Sequence, residues 1–263
     1  MAGEGSSADR LWRQAMTGVC FAAFGVGGLF LSLAWFNILF LVQRDPRKRR
    51  WLARRSISAS FRLFLRATRF LGVLDYRIDG QDLLRGEQGC LVVANHPTLI
   101  DYVLLASVMP ETDCLVKSAL LHNPFLRGVV RAADYLINSQ AAELLPDCRQ
   151  RLAAGNNILI FPEGTRTSPG KTMVLQRGAA NIAVRCSSPL LVVAIQCSEH
   201  FLNKESRWHQ VPARKPFFHV SVQERIDPET FQGGAVQEPS RIVRELNRYL
   251  AQRLGNGGAA HAA

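Results

Sequence analysis

Two polar segments of this chain carry residue types that support acid–base and anion-binding chemistry. The first, residues 95–101, reads Asn-His-Pro-Thr-Leu-Ile-Asp and places an imidazole, His96, five residues before a carboxylate, Asp101. The second, residues 161–167, reads Phe-Pro-Glu-Gly-Thr-Arg-Thr. Each segment follows a short apolar run, so each is predicted to lie at the carboxyl end of a buried strand. Ligands of open α/β sheets bind at that edge, and we therefore predict one cleft that contains both segments.

The first segment has the composition of a base and its orienting partner. Pro97 and Thr98 are predicted to open a helix, which places Asp101 about one turn into the helix and within reach of His96. A carboxylate on one ring nitrogen fixes the tautomer and leaves the other nitrogen free to accept a proton. No serine or cysteine is marked as a nucleophile, so the hydroxyl that this base would activate is predicted to belong to a substrate.

The second segment is suited to holding an anionic or hydroxylated ligand. Pro162 is predicted to end the strand, and Gly164 allows a sharp turn or a close approach of the backbone to a ligand. The planar guanidinium of Arg166 suits phosphate. Glu163 is predicted either to accept a hydrogen bond from a substrate hydroxyl or to brace the loop. For this segment taken alone, a solvated surface turn is the alternative interpretation.

The charge and the cysteine content restrict the classes of function. The 263-residue chain has a formal net charge of +11 and an isoelectric point of about 10.0, which suits an anionic membrane or a nucleic acid. The basic residues are concentrated beside an apolar span and no recognised nucleic-acid motif occurs, so nucleic acid is the least favoured partner.

Six cysteines without a Cys-x-x-Cys pair argue against a zinc site and a disulfide framework. We expect buried thiols in a reducing compartment and no metal.

The N-terminal quarter is predicted to anchor the protein to a membrane. Residues 14–43 contain no charged side chain. The apolar stretch 16–42 would reach roughly 40 Å as a straight helix, against a bilayer core of about 30 Å. A single tilted span and a re-entrant helix broken near residues 25–28 both fit this length. The basic run 44–50 follows, and by the positive-inside rule it places the rest of the chain on the cytoplasmic side of the inner membrane.

A second helix is predicted over residues 51–74, after Pro46 has stopped the first helix. Its arginines fall in one stripe and its apolar residues lie opposite, which is the pattern of an amphipathic helix in the membrane interface. The arginines are Arg55, Arg62, Arg66 and Arg69, and the apolar residues are Ile57, Phe61, Phe64 and Leu71. We therefore predict an interfacial helix between the membrane helix and the rest of the chain.

From residue 76 the composition is that of a globular α/β domain. Apolar runs that predict strands alternate with helical patterns, which indicates a mostly parallel central sheet flanked by helices. The predicted strands are 90–94, 114–117, 135–138, 158–161, 190–197 and 217–222, and the predicted helices are 99–109, 141–154, 176–185 and 240–254. The predicted parts of the chain are membrane-anchoring helices at 1–75, an α/β domain at 76–254 and a flexible tail at 255–263.

The two polar segments, in this order and about 60 residues apart, resemble those of the glycerolipid acyltransferase family. Its best-known members are the 1-acyl-sn-glycerol-3-phosphate acyltransferases, and the resemblance covers roughly residues 91–195. It implies that His96 is the general base on an acceptor hydroxyl and that Asp101 orients it. It also implies a set of residues that hold the acceptor. These are Glu163, Gly164, Thr165 and Arg166, with Arg166 on the phosphate, together with Asn95, Lys117 and Gly178.

This chain departs from the family's pattern in two motifs. The family's middle motif ends in an arginine where this chain has Ser139, and Ala133 stands where that motif has a glycine. A later apolar motif has Val192 in place of the family's proline. Loss of the arginine removes one phosphate ligand, which puts in question a phosphate-bearing acceptor but not acyl transfer itself. The candidates to replace the arginine are Arg127, Arg131 and Arg177.

The resemblance implies a membrane-bound O-acyltransferase of phospholipid biosynthesis that needs no cofactor and uses acyl-CoA or acyl carrier protein as co-substrate. The default acceptor is 1-acylglycerol-3-phosphate. Three alternatives stay open: a non-standard acceptor such as an aminolipid, polyene or glycolipid precursor, hydrolysis of a lipid ester by the same His–Asp pair, and a non-catalytic lipid-binding protein. Membrane lipids and the acyl donor are the expected partners. Acyl-chain length, donor type and oligomeric state are not determined by the sequence.

Overall fold

The computed structural model describes residues 7–138, 141–168, 170–231 and 238–259, without the side chains of residues 141–143 and 256–259. Ser139 and the end of the predicted tail, residues 260–263, therefore lie outside the described residues. Within these ranges the chain forms N-terminal helices followed by a seven-stranded sheet with the order β1-β7-β6-β2-β5-β3-β4.

The sheet is mixed and mostly parallel, which confirms the predicted fold class. Its strands are β1 (Asp75–Asp79), β2 (Leu91–Ala94), β3 (Asp113–Lys117), β4 (Leu136–Asn138), β5 (Ile158–Ile160), β6 (Leu190–Cys197) and β7 (Phe217–Ile226). Strands β2 to β6 run in one direction, β7 is antiparallel to β6, and β1 is parallel to β7. Only β1 was not predicted, because this half-buried edge strand alternates charged and apolar residues and contains no apolar run.

Helices cover both faces of the sheet. Helix α5 packs on one face together with the N-terminal helices, whereas α7, α8 and α9 cover the other. The helices of the α/β domain are α4 (Gln81–Gly86), α5 (Asp101–Val108), α6 (Arg127–Ala133), α7 (Ala141–Ala153), α8 (Gly178–Cys186) and α9 (Pro239–Ala259). Helix α9 continues past its predicted end at residue 254, so residues 255–259, which the sequence assigned to the tail, are helical.

One uninterrupted helix forms the N-terminal apolar stretch. It consists of α1 (Ser7–Phe30), a π-helical turn (Leu31–Trp35) and α2 (Phe36–Val42), and it does not break near residues 25–28. By length and composition it is able to cross a membrane. The prediction that Pro46 stops this helix is wrong, because the helix has already ended at Val42.

The next helix, α3 (Pro46–Phe70), begins at that proline. The side chain of Asp45 caps it by accepting a hydrogen bond from the backbone N–H of Arg47 at 2.8 Å, and proline is favoured at the first helical position. Helix α3 is amphipathic, as predicted, but protein covers most of its apolar face. Ile57 is 1% exposed, and Phe61 packs against two core clusters.

A buried ion pair fixes α3 to the sheet. Arg54 on α3 and Asp113 at the start of β3 pair with each other, and they are only 4% and 0% exposed. The guanidinium of Arg54 also donates to the carbonyl oxygen of Ala133 at 2.8 Å, and Arg151 on α7 donates to Asp113 at 2.6 Å. Because Asp113 receives two guanidinium groups, it joins helices from both sides of the sheet edge.

We expect Arg54→Ala to lower the free energy of unfolding by about 3–5 kcal/mol, because removing one partner of a buried pair leaves polar groups without compensation. Arg55→Ala is the matched control. Arg55 is the next residue on the same helix and makes an exposed pair with Glu111 at 3.5 Å, which contributes little. Denaturant unfolding in detergent measures both variants, and similar losses in the two would contradict this account of how α3 is attached.

Candidate active site

The structure brings the two polar segments together at one edge of the sheet. Strands β2 and β5 are parallel neighbours, with Val93 opposite Ile160, so the segments that follow them leave the sheet side by side. The backbone N–H of Thr167 donates to the carbonyl oxygen of His96 at 3.1 Å and joins the two segments directly. The cleft that the sequence predicted is therefore formed by adjacent strand ends.

A hydrogen bond joins His96 to Asp101. The ring Nδ1 of His96 lies 2.8 Å from Oδ2 of Asp101, which is the first residue of α5 and is completely buried. Asp101 also accepts from the backbone N–H of Thr98 at 2.7 Å and from the Thr98 hydroxyl. Burial raises the pKa of Asp101, and the hydrogen bonds from His96 and Thr98 act in the opposite direction.

The surroundings of Asp101 determine the role of the imidazole. Its carboxylate accepts hydrogen bonds from the backbone N–H and the hydroxyl of Thr98. It is thus also the acceptor for Nδ1 of His96, which carries a proton toward it and leaves Nε2 as the basic nitrogen. The ring of His96 stacks on Phe161, with centroids 4.4 Å apart and planes at 25°. The side chain remains 23% exposed. This arrangement presents an oriented base to a ligand, with one nitrogen committed to the protein.

Glu163 holds the two segments in place. One of its carboxylate oxygens accepts from the backbone N–H of His96 at 2.6 Å, and the other accepts from the hydroxyl of Thr167. The residue is 6% exposed, and burial raises its pKa. Of the two roles considered from the sequence, these contacts favour a brace for the loop over a direct contact with substrate.

Arg166 places a positive charge at the mouth of a cavity. Its guanidinium donates to the carbonyl oxygens of Leu202 at 3.2 Å and Asn203 at 3.0 Å. In the part of the chain that the structure describes, no carboxylate forms an ion pair with it, so its charge is available to an anion. Gly164 and Thr165 line the same cavity, and Gly164 adopts a φ of +67° that favours glycine.

The remaining predicted site residues are dispersed. Lys117, at the end of β3, lines the cavity. The side-chain amide of Asn95 bonds the backbone of Ile195 at 2.8 and 2.6 Å, so it connects β2 to β6 and faces no ligand space. Gly178 opens α8 and is absent from the described lining of the cavity, as are the three arginines considered as replacements for the family's arginine. Ser139 lies outside the described residues.

The cavity has a volume of about 620 Å³ and runs from His96 into the apolar interior. Its walls come from the α/β domain and from the N-terminal helices, which contribute Phe24 on α1 and Phe61 and Phe64 on α3. The sequence assigned these helices only to anchoring. Their aromatic spacing carried no signal that distinguishes a cavity wall from an ordinary apolar helix face.

A long connection between β6 and β7 closes one side of the cavity, and sequence analysis missed it. Leu202 lies in this connection with a φ of +53°, and its carbonyl oxygen accepts from the backbone N–H of Leu99 at 2.9 Å as well as from Arg166. Arg13 of α1, which is 7% exposed, donates to the carbonyl oxygen of Ala213. The N-terminal helix therefore holds the connection against the domain.

Comparisons with known proteins agree on one family. The acyltransferase family profile matches residues 75–196. Human 1-acyl-sn-glycerol-3-phosphate acyltransferase beta is 24% identical over 152 residues, which are 55% of this chain and 55% of that protein. The 1-acyl-sn-glycerol-3-phosphate acyltransferase of Pseudomonas aeruginosa is 25% identical over 190 residues, 69% of this chain and 68% of that protein. This chain thus spans little more than half the length of the human relative.

A solved structure shares the fold. The crystal structure of the 1-acyl-sn-glycerophosphate acyltransferase PlsC from Thermotoga maritima superposes with a TM-score of 0.71 at 20% identity. The match covers 95% of this chain and 99% of that chain, so it includes the N-terminal helices as well as the α/β domain.

We expect Glu163→Ala to lower the free energy of unfolding by about 1–3 kcal/mol, because it leaves the buried N–H of His96 without an acceptor. Glu163→Gln should retain most of the stability, since an amide oxygen still accepts from His96 while its NH₂ donates to Thr167. Denaturant unfolding compares the two with Glu205→Ala, a change at an exposed glutamate paired with Lys171. Equal losses in the Ala and Gln variants would show that the charge of Glu163 matters more than its hydrogen bonds.

Proposed function

We propose, from the match of residues 75–196 to the acyltransferase family profile, that the protein is a membrane-bound O-acyltransferase. It transfers a fatty acyl group from acyl-CoA or acyl carrier protein to a hydroxyl of a lipid acceptor. The activity for which the human and Pseudomonas aeruginosa relatives are named supports 1-acylglycerol-3-phosphate as the default acceptor. The observation that carries the proposal is the hydrogen bond between His96 and buried Asp101 at the mouth of an apolar cavity.

The reaction needs one base and transfers the acyl group directly from the donor to the acceptor. Nε2 of His96 takes the proton of the acceptor hydroxyl while the oxygen attacks the thioester carbonyl. The C–O bond of the new ester forms, the C–S bond breaks, and the departing thiolate receives the proton from His96. Asp101 stabilises the imidazolium that exists between these proton transfers.

The shape and charge of the site suit the two substrates. The apolar cavity accommodates a hydrocarbon chain, and the cationic side chains of Arg166 and Lys117 line its mouth, where the polar end of a lipid would lie. These two cations support a phosphate-bearing acceptor even though Ser139 replaces the family's arginine. That replacement remains the reason to include acceptors without phosphate in the assay.

The N-terminal helix supports attachment to the membrane along the side of the domain. It contacts the protein from Arg13, which is buried, to Leu39, which is 7% exposed, while Val26, Phe30 and Leu41 are 67%, 62% and 77% exposed. Packing on the domain over this length favours insertion of the helix into one leaflet of the bilayer. It is less compatible with a helix that crosses the bilayer away from the domain. The basic run at 44–50 is suited to anionic headgroups of the inner membrane on its cytoplasmic side.

A panel of acceptors tests the substrate most directly. Purified protein is offered lysophosphatidate, other lysolipids, aminolipids and glycolipid precursors, each with acyl-CoA and with acyl carrier protein as donor. Transfer to lysophosphatidate supports the default acceptor, and transfer only to acceptors without phosphate supports the non-standard alternative. Release of free fatty acid without any acceptor would instead identify the protein as a hydrolase.

We expect His96→Ala to lower kcat/KM by about 10³-fold or more, because it removes the base. Asp101→Asn should lower it by about 10²-fold or more, since an asparagine cannot accept from both Thr98 donors and also hold the required tautomer. His122→Ala, at an exposed histidine, is the control. Circular dichroism verifies that each variant is folded, and substantial transfer by folded His96→Ala would refute the role of the imidazole.

We expect Arg166→Ala to raise the KM for a phosphate-bearing acceptor about tenfold or more and to affect the same acceptor without its phosphate much less. Arg166→Lys should recover part of the loss, because it keeps the charge. Arg177→Ala removes an exposed arginine that does not line the cavity and is the matched control. If the KM rises equally for both acceptors, Arg166 acts through its contacts with Leu202 and Asn203 and does not bind phosphate.

A further inference from the structure

The cavity reaches from the catalytic edge toward the amino end of β3. Lys117 and Cys114 both line the cavity and are three residues apart on β3, so the cavity extends about 10 Å below the edge at this strand. Tyr135 immediately precedes β4, which pairs with β3 through Leu115 and Leu136. Tyr135 therefore lies beside Cys114 at the same depth.

Aromatic rings form one wall of the cavity and lead to this end. Phe64 contacts Phe24 with ring centroids 5.2 Å apart, and Phe24 contacts Phe61 at 6.1 Å. Phe61 contacts Tyr102 at 5.8 Å, and Tyr102 contacts Tyr135 at 6.2 Å. Phe61 and Tyr102 pack against two separate core clusters, so the wall bridges them and continues to Tyr135.

The wall ends in two hydroxyl groups, although the cavity is otherwise mostly apolar. The hydroxyl of Tyr102 lies 2.5 Å from the hydroxyl of Tyr135. In this bond the hydroxyl of Tyr102 donates and that of Tyr135 accepts, and neither hydroxyl has another hydrogen-bond partner among the described residues, so the proton of Tyr135 has no acceptor. Burial raises the pKa of both phenols, so both stay protonated at neutral pH. One donor is consequently left over, and buried donors without acceptors are unfavourable.

A charged side chain holds the ring of Tyr135 in position. The guanidinium of Arg54 lies 5.8 Å from the centroid of the Tyr135 ring, and Arg54 is itself held by buried Asp113. Neither member of this ion pair is among the described lining residues, and the cation restrains the ring that carries the Tyr135 hydroxyl. The two hydroxyls are therefore preorganised at the floor of the cavity.

We propose that the Tyr102–Tyr135 pair binds an oxygen atom carried at the far end of the acyl chain, so that the protein prefers oxygenated acyl groups. The inference rests on the proposed function and deepens it by naming the chemical class of the donor. A terminal hydroxyl or carbonyl oxygen accepts the spare phenolic proton, whereas a methyl end leaves it unpaired. Two phenylalanines would close the cavity equally well, so closure alone does not explain the hydroxyls.

Matched acyl thioesters test the preference. Each pair has the same chain length, and one member carries a hydroxyl on its last carbon. For the chain length that reaches the floor, the wild type should prefer the hydroxylated member about tenfold in kcat/KM, which corresponds to about 1.4 kcal/mol. The Tyr102→Phe/Tyr135→Phe double variant should reduce the ratio to about one, and Tyr249→Phe should not change it, because Tyr249 bonds Glu224 outside the cavity. A wild type that prefers the plain chain at every length, or a double variant that keeps the preference, would overturn the inference.

A binding measurement separates this inference from the proposed reaction. The inactive His96→Ala variant is titrated calorimetrically in detergent with a terminally hydroxylated fatty acid and with the plain acid of equal length, with and without the two Tyr→Phe changes. Tighter binding of the hydroxylated acid that disappears with the phenols supports the floor site. Equal affinities overturn it. Failure of the wild type to transfer any acyl group would overturn the proposed function and leave this comparison valid.

Discussion

The hydrogen bond between His96 and Asp101 depends on the complete burial of one carboxylate. Asp101 accepts from the ring of His96 and from two donors of Thr98, so the first residue of α5 also orients the imidazole. A buried carboxylate keeps its charge only when donors surround it. The first residue of a helix thus sets the orientation of the His96 ring, and this ring lines the cavity. Glu163 is likewise a buried carboxylate surrounded by donors. Its oxygens accept from His96 and Thr167 and hold the second segment against the first.

The charged residues of this protein divide by how their charges are compensated. Arg54 is buried against Asp113, and its loss would affect the attachment of α3. Arg166 uses its guanidinium on two backbone carbonyls, and no described carboxylate neutralises it. The first arrangement neutralises its charge within the fold, whereas the second leaves a charge for an external anion. This difference, visible only in the contacts, distinguishes a structural arginine from a candidate ligand-binding one in a chain that contains many.

The N-terminal helices, which the sequence predicts to attach the protein to a membrane, also form part of the candidate site. Phe24, Phe61 and Phe64 line the cavity from α1 and α3, while other side chains of the same helices remain exposed and apolar. Arg13 fastens the connection that follows β6 and closes one wall. Under the proposed function, a lipid substrate would therefore meet the cavity where these helices and the α/β domain join.

The sequence by itself determined the local elements and the nearness of the two polar segments. Apolar runs marked β2 and β5, and polar residues followed each, so the meeting of His96 and Glu163 at one sheet edge followed from strand periodicity and parallel pairing. Only the tertiary structure decided what each side chain contacts. The Arg54–Asp113 pair joins residues 59 positions apart, Asn95 bonds a strand 100 positions away, and the cavity is lined by helices that local pattern assigned to the membrane. Periodicity reports which face of an element is apolar, whereas the partner of that face depends on long-range packing, which no short window of sequence contains.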